Sequence, residues 1–135
     1  MGDLTAHFSM REFRCKHGAP SPGDSTWDNI RKVATMLEVL RGYIASPIIV
    51  VSGFRCPACN RACNGARKSQ HLVGKAADVF SPGVSIEELA AALETLISHS
   101  EISPGGIGLY KRGRHEQRPF VHYDIRGYNV RWSRK

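Results

Sequence analysis

The stretch Ser69-Gln70-His71-Leu72-Val73-Gly74-Lys75-Ala76-Ala77-Asp78-Val79-Phe80 constrains this chain more than any other, because it changes character half-way along. Its first half is polar and contains Gly74, the marks of a loop, while Ala76 to Phe80 is a short apolar run bounded by Ser81-Pro82-Gly83, the marks of a buried strand. A loop carrying His71 therefore feeds a strand carrying Asp78. A neutral imidazole and a carboxylate are ordinary zinc ligands, and a catalytic zinc takes three protein ligands and leaves one position for water. The pair asks for a third ligand downstream. Without one, it is a surface loop whose histidine and aspartate bind nothing.

The elements around this stretch follow from periodicity and capping. Phe8 and Phe13 anchor an opening turn of helix that runs into a Gly/Pro/Ser-rich loop. Ser25, with Asp28 three residues on, predicts the cap of an amphipathic helix whose buried stripe is Ile30, Val33, Ala34, Leu37, Leu40 and Ile44 and which ends before Pro47. The β-branched run Ile48-Ile49-Val50-Val51 reads as a central strand. From 52 to 70 the chain is polar and irregular, with one helical turn expected around Ala58 to Ala62. Ser85 and Glu88 form a capping box for a second helix with an apolar face of Leu89, Ala92, Leu93, Leu96 and Ile97. After the break at Pro104-Gly105-Gly106, residues 106–110 and 120–125 read as paired strands joined by a basic hairpin loop. With 135 residues, the expectation is a single domain over 1–135, of α+β class, with helices packed on a small antiparallel sheet.

On the last of these strands side chains alternate, so His122 shares a face with Phe120, Asp124 and Arg126. His122 is the third ligand the first stretch asks for, and His71, Asp78 and His122 are the expected metal ligands.

Two further features limit the function. The first residues lack the basic start and apolar run of a signal peptide, and no stretch approaches the ~20 apolar residues of a membrane span. A soluble protein made in the cytoplasm is expected, and with it four cysteines that are not a disulfide framework. Cys56, Cys59 and Cys63 form C-x₂-C-x₃-C, and Cys15, with His17 beside it, completes a second, structural metal site if the N-terminal segment folds back; the other reading is plain burial of small thiols. The net charge of +7 favours anionic partners, nucleic acid or cell-wall polymer.

Beyond these local readings, several separated runs agree in order with one family. Val51-Ser52-Gly53-Phe54-Arg55-Cys56-Pro57, then Asn60 and Gly65, then Ser69 to Asp78, Gly106 to Tyr110, Phe120 to Gly127 and Arg131-Trp132 together resemble the zinc D-Ala-D-Ala carboxypeptidase family. Members cleave peptidoglycan peptides and share their fold with the hedgehog signalling domain. The resemblance implies that His71 and Asp78 are the paired zinc ligands, that His122 completes the triad, and that Arg55 lies close to substrate and transition state, where guanidinium pairs with a carboxylate or developing oxyanion. Tyr110 joins Arg55 as an expected substrate contact. Many relatives carry a histidine or glutamate two or three residues before the late histidine, to move a proton; this chain has Phe120 and Pro119 there. Asp124 takes the catalytic carboxylate role instead, either as base or as the partner that orients His122, with His115 and Glu116 of the basic loop as further bases.

The function so implied is zinc-dependent hydrolysis of an amide bond in peptidoglycan stem peptides, by a D-Ala-D-Ala carboxypeptidase or related endopeptidase, with one catalytic Zn²⁺ and room for a structural one. The partner is the peptide substrate of the cell wall, reached by a monomer after release, as with a phage-type lysin; neither nucleic acid nor membrane is expected. A zinc-binding module of the hedgehog-like type, without catalysis, is the other reading.

Overall fold

The computed structural model describes residues 2–16, 21–63, 65–111 and 118–134. Helix α1 (Met10–Phe13) is followed by α2 (Asp24–Ile44), strand β1 (Ile49–Ser52) and the short helix α3 (Pro57–Ala62). A 3₁₀ turn at Gln70–Val73 precedes β2 (Ala76–Phe80), α4 (Ile86–Ser98), β3 (Gly106–Tyr110), β4 (Phe120–Asp124) and β5 (Val130–Arg134). The five strands make one sheet in the order β1-β2-β4-β3-β5. The class is α+β, and every pair is antiparallel except β3 with β5, which run parallel. The sheet is therefore mixed. β5 is not among the elements expected from the sequence.

Two other expectations shift. α2 begins at Asp24, two residues earlier than a cap at Ser25 would start it, with Gly23 as N-cap and the Trp27 amide donating to the Gly23 carbonyl at 3.0 Å, so the Ser25–Asp28 box does not form. Trp27 joins the buried stripe with Ile30, Val33, Ala34, Leu37 and Leu40. The Ile48–Val51 run is an edge strand rather than a central one, with Val50 buried and Ile49 turned outward. By contrast Ser85 and Glu88 close the expected capping box on α4, a cap worth about 1 kcal/mol.

Strand alternation divides the sheet into two chemically different faces. Ala77, Val79, Val121, Tyr123 and Ile107 turn towards α2 and α4 and form the core with Leu37, Leu40, Leu89, Leu93 and Leu96. The opposite face carries a cross-strand row: Ser52 beside Asp78, Asp78 beside His122, His122 beside Gly108 and Gly108 beside Trp132. Gly108 is required in that row, because a Cβ there would overlap the Trp132 indole. The missing side chain lets the indole lie across β3, its ring centroid 5.0 Å from that of His122.

Candidate metal centre

His71 is delivered by the 3₁₀ turn and Asp78 and His122 by adjacent positions on β2 and β4. The Ser69 hydroxyl accepts the His71 amide at 3.2 Å, and the Arg55 amide donates to the His71 carbonyl at 3.1 Å, so the turn is tied to the segment that follows β1. The result is a dry cluster: His71, Asp78 and His122 are 2%, 3% and 6% exposed. One ligand atom from each lies within 4.8 Å of the others, and among the described residues no other set of three histidine, cysteine or acidic side chains converges this way.

The hydrogen bonds show what the cluster is built to hold. His71 Nδ1 lies 2.7 Å from the Gly53 carbonyl, and its Nε2 faces Asp78 Oδ1 at 3.2 Å. His122 Nε2 lies 2.7 Å from Asp124 Oδ2, and its Nδ1 faces the same Asp78 Oδ1 at 3.1 Å. All four ring nitrogens thus look at acceptors, yet a neutral imidazole has only one N–H. With each outer nitrogen donating to its acceptor, the two inner nitrogens present lone pairs to a carboxylate oxygen. A cation at that point resolves the conflict. In a tetrahedral site with bonds of about 2.0–2.2 Å, neighbouring ligand atoms are about 3.3 Å apart, close to the separations seen. Two imidazoles and a carboxylate are a zinc-type donor set, and they fit the ion.

Charge in the cluster is set by the same contacts. Burial opposes ionisation of Asp78, but His71 and His122 hold its pKa far below the usual carboxylate range. Burial likewise opposes protonation of His122, yet its hydrogen bonds to Asp124 and Asp78 push its pKa up.

The remaining expected residues fall into three groups. Arg55 is at the site: its Nη2 donates to Asp78 Oδ2 at 2.9 Å and its Nε to the Ser52 hydroxyl at 3.1 Å, while Nη1 reaches Asn60 Oδ1 only at 3.5 Å. Asp124 stands on the far side of the His122 ring from the metal position. It is fully buried, and Oδ1 accepts from the Gly106 amide at 2.8 Å and Arg126 Nε at 2.9 Å, while Oδ2 accepts from Arg126 Nη2 at 2.7 Å and faces His122. Tyr110 does not touch the ligands; it stacks on Phe120 at 4.7 Å, and its hydroxyl accepts from Trp132 Nε1 at 2.9 Å, forming a half-exposed aromatic wall beside His122. His115 and Glu116 lie outside the described residues.

Sequence reasoning missed Gly53, Gly106 and Arg126 as supports of the site. The Pro104-Gly105-Gly106 break was legible as a chain break only, whereas a Cβ on Gly106 would overlap the Asp124 carboxylate that its amide caps.

The model of the family described as Peptidase M15 matches residues 6–124. Among solved structures, the Serratia marcescens L-Ala D-Glu endopeptidase ChiX is similar, at TM-score 0.46 and 18% sequence identity, with 82% of this chain and 92% of that chain covered. No curated protein matches the chain in sequence.

Proposed function

This chain belongs to the peptidase M15 family, and from that premise we propose that it is a zinc metallopeptidase hydrolysing an amide bond in peptidoglycan stem peptides, as a D-Ala-D-Ala carboxypeptidase or a related endopeptidase. The observation that carries the reading is the buried His71–Asp78–His122 cluster, whose two rings each have the outer nitrogen engaged and the inner one aimed at a shared point.

His71 Nε2, His122 Nδ1 and Asp78 Oδ1 are the atoms that would hold the ion. Bound there, zinc supplies a Lewis acid that activates water and polarises the scissile carbonyl. Arg55 keeps the outer oxygen of Asp78 neutralised and, through Nη1, has donor capacity for a substrate carboxylate or the oxygen on which charge develops. Asp124 orients His122, since every direction from its carboxylate already meets a donor; that leaves Glu116 and His115, of the candidates named from the sequence, for the proton transfer. Tyr110 and Trp132, joined by their hydrogen bond, form an aromatic wall beside His122 against which a peptide backbone would lie.

Incubating the zinc-loaded protein with purified cell wall and with synthetic stem peptides, and identifying products by mass spectrometry, tests the proposal. Release of a terminal D-Ala means a carboxypeptidase, and an internal cut means an endopeptidase. If neither substrate yields a new amine, the peptidase reading fails. The silent zinc module would then stand, and one observation already favours it: Pro119 and Phe120 cannot accept a proton, and Asp124 has no oxygen to spare.

The orienting role of Asp124 makes a separate prediction. Asp124→Asn keeps the shape but replaces one acceptor with an amide, so His122 and Arg126 compete for the remaining oxygen. Zinc affinity should fall about 10–100-fold, with kcat at saturating zinc largely retained. Collapse of kcat while zinc remains fully bound would instead make Asp124 the proton acceptor.

A further inference from the structure

Cys15, Cys56, Cys59 and Cys63 are potential metal ligands that the peptidase reading leaves unused. None of the four is in a disulfide. Cys56 is the N-cap of α3 and its sulfur accepts the Cys59 amide at 3.4 Å; Cys59 lies in the first turn and Cys63 is the C-cap. Spacings of three and seven residues place all three on one side of the short helix. Onto that side the N-terminal segment brings Cys15, buried just after α1, with its sulfur 3.4 Å from that of Cys56. Residues 41 positions apart in sequence are thus joined sulfur to sulfur.

We propose that Cys15, Cys56, Cys59 and Cys63 bind a second zinc-class ion, which fastens the N-terminal segment to the loop carrying Gly53 and Arg55. In a tetrahedral thiolate site with metal–sulfur bonds of about 2.3 Å, sulfurs stand about 3.8 Å apart, so the Cys15–Cys56 contact is already at the required scale. The four sulfurs do not yet all lie within ligand distance of one another, and rotation about cysteine χ1, between ordinary rotamer wells, is the movement that closes the site. Each ligating thiol releases its proton to solvent, leaving four thiolates around a divalent cation. Arg14 and Lys16 flank Cys15 in the chain and Arg61 stands two residues from both Cys59 and Cys63, positive charges near the net negative charge of such a site.

The ion would act on the catalytic centre from a distance. Phe13 accepts the Phe54 amide at 2.8 Å, and Gly53, one residue before, accepts the His71 ring. Holding Cys15 to Cys56 therefore holds the acceptor that orients His71.

Metal content and thiol reactivity of the full chain, purified in reducing buffer without chelator, test this. About two zinc ions per chain are expected. His71→Ala should lose one and keep the other, and cobalt loaded into that variant should show the strong near-ultraviolet band of thiolate-to-metal charge transfer. Cys59→Ser should lose the other ion and the band. In case Cys59→Ser does not fold, the wild-type protein gives an independent reading: its thiols should resist alkylation until a chelator is added. One zinc in the wild type, with none left in His71→Ala and no thiolate band, overturns the cysteine site and leaves the peptidase centre intact. Two ions with thiols that react equally with or without chelator also overturn it.

Discussion

Removing the ion from the His71 cluster, by chelation or by His71→Ala, is expected to reduce amide hydrolysis at least ~10³-fold, because several kcal/mol of transition-state stabilisation come from the metal and each ~1.4 kcal/mol is tenfold in rate. Zinc should restore the chelated protein and not the variant. An ion bound there should also stabilise the fold. Without it, three buried polar groups rely on each other, with two imidazole nitrogens set against one carboxylate oxygen. Zinc at about 100 times its Kd adds ~2.7 kcal/mol, which for a chain of this size raises Tm by about 10 °C. Differential scanning fluorimetry across a zinc titration checks the second effect independently of any substrate. Protons work against it. Burial disfavours charge on His122, but Asp124 and Asp78 outweigh burial and raise its pKa, so a proton is held there to higher pH than on a free histidine. Metal binding displaces that proton, and zinc affinity should therefore weaken steadily as pH falls. Affinity that stays flat from neutral pH to pH 5 would mean that His122 is not a ligand.

What was legible in the chain beforehand depended on whether the signal was local. β2 and α4 were readable because their cues lie within a few residues: the Ala76–Phe80 run between turn residues, and Ser85 with Glu88. The start of α2 is not set by its side-chain cap: Gly23, which has no side chain to bond with, takes the cap position two residues before Ser25, and local capping cues do not carry that. β1 was read as central because β-branched residues suggest burial on both faces, while its edge position depends on partners far away in sequence. β5 escaped because its one large apolar residue, Trp132, packs across Gly108 on the site face, leaving its alternation too weak to register. The ligands could be named from motif and alternation, but their supports could not: Gly53 and Gly106 act through backbone groups that leave no side-chain signature. Arg126 was placed on the correct face, yet only the fold shows it gripping Asp124 with both ends of its guanidinium.

Arg55 carries the second large effect, and its two roles separate cleanly by experiment. As found, the guanidinium pairs with Asp78 Oδ2 at 2.9 Å, leaving Asp78 Oδ1 to face the histidines. If that ion pair were its whole contribution, Arg55→Ala would weaken zinc binding and lower Tm, and saturating zinc would restore kcat. The looser Nη1 contact, 3.5 Å from Asn60, argues for more, because it leaves hydrogen-bond capacity on a permanently charged group beside the metal position. A donor aimed at developing negative charge is worth about 10²–10³ in kcat. The expected outcome for Arg55→Ala is thus a kcat loss of about 10²-fold or more that persists with zinc fully bound. Arg55→Lys should recover only part of it, since one ammonium cannot reach Asp78, Ser52 and a substrate oxygen together. Full recovery of kcat by added zinc would reduce Arg55 to a support for Asp78.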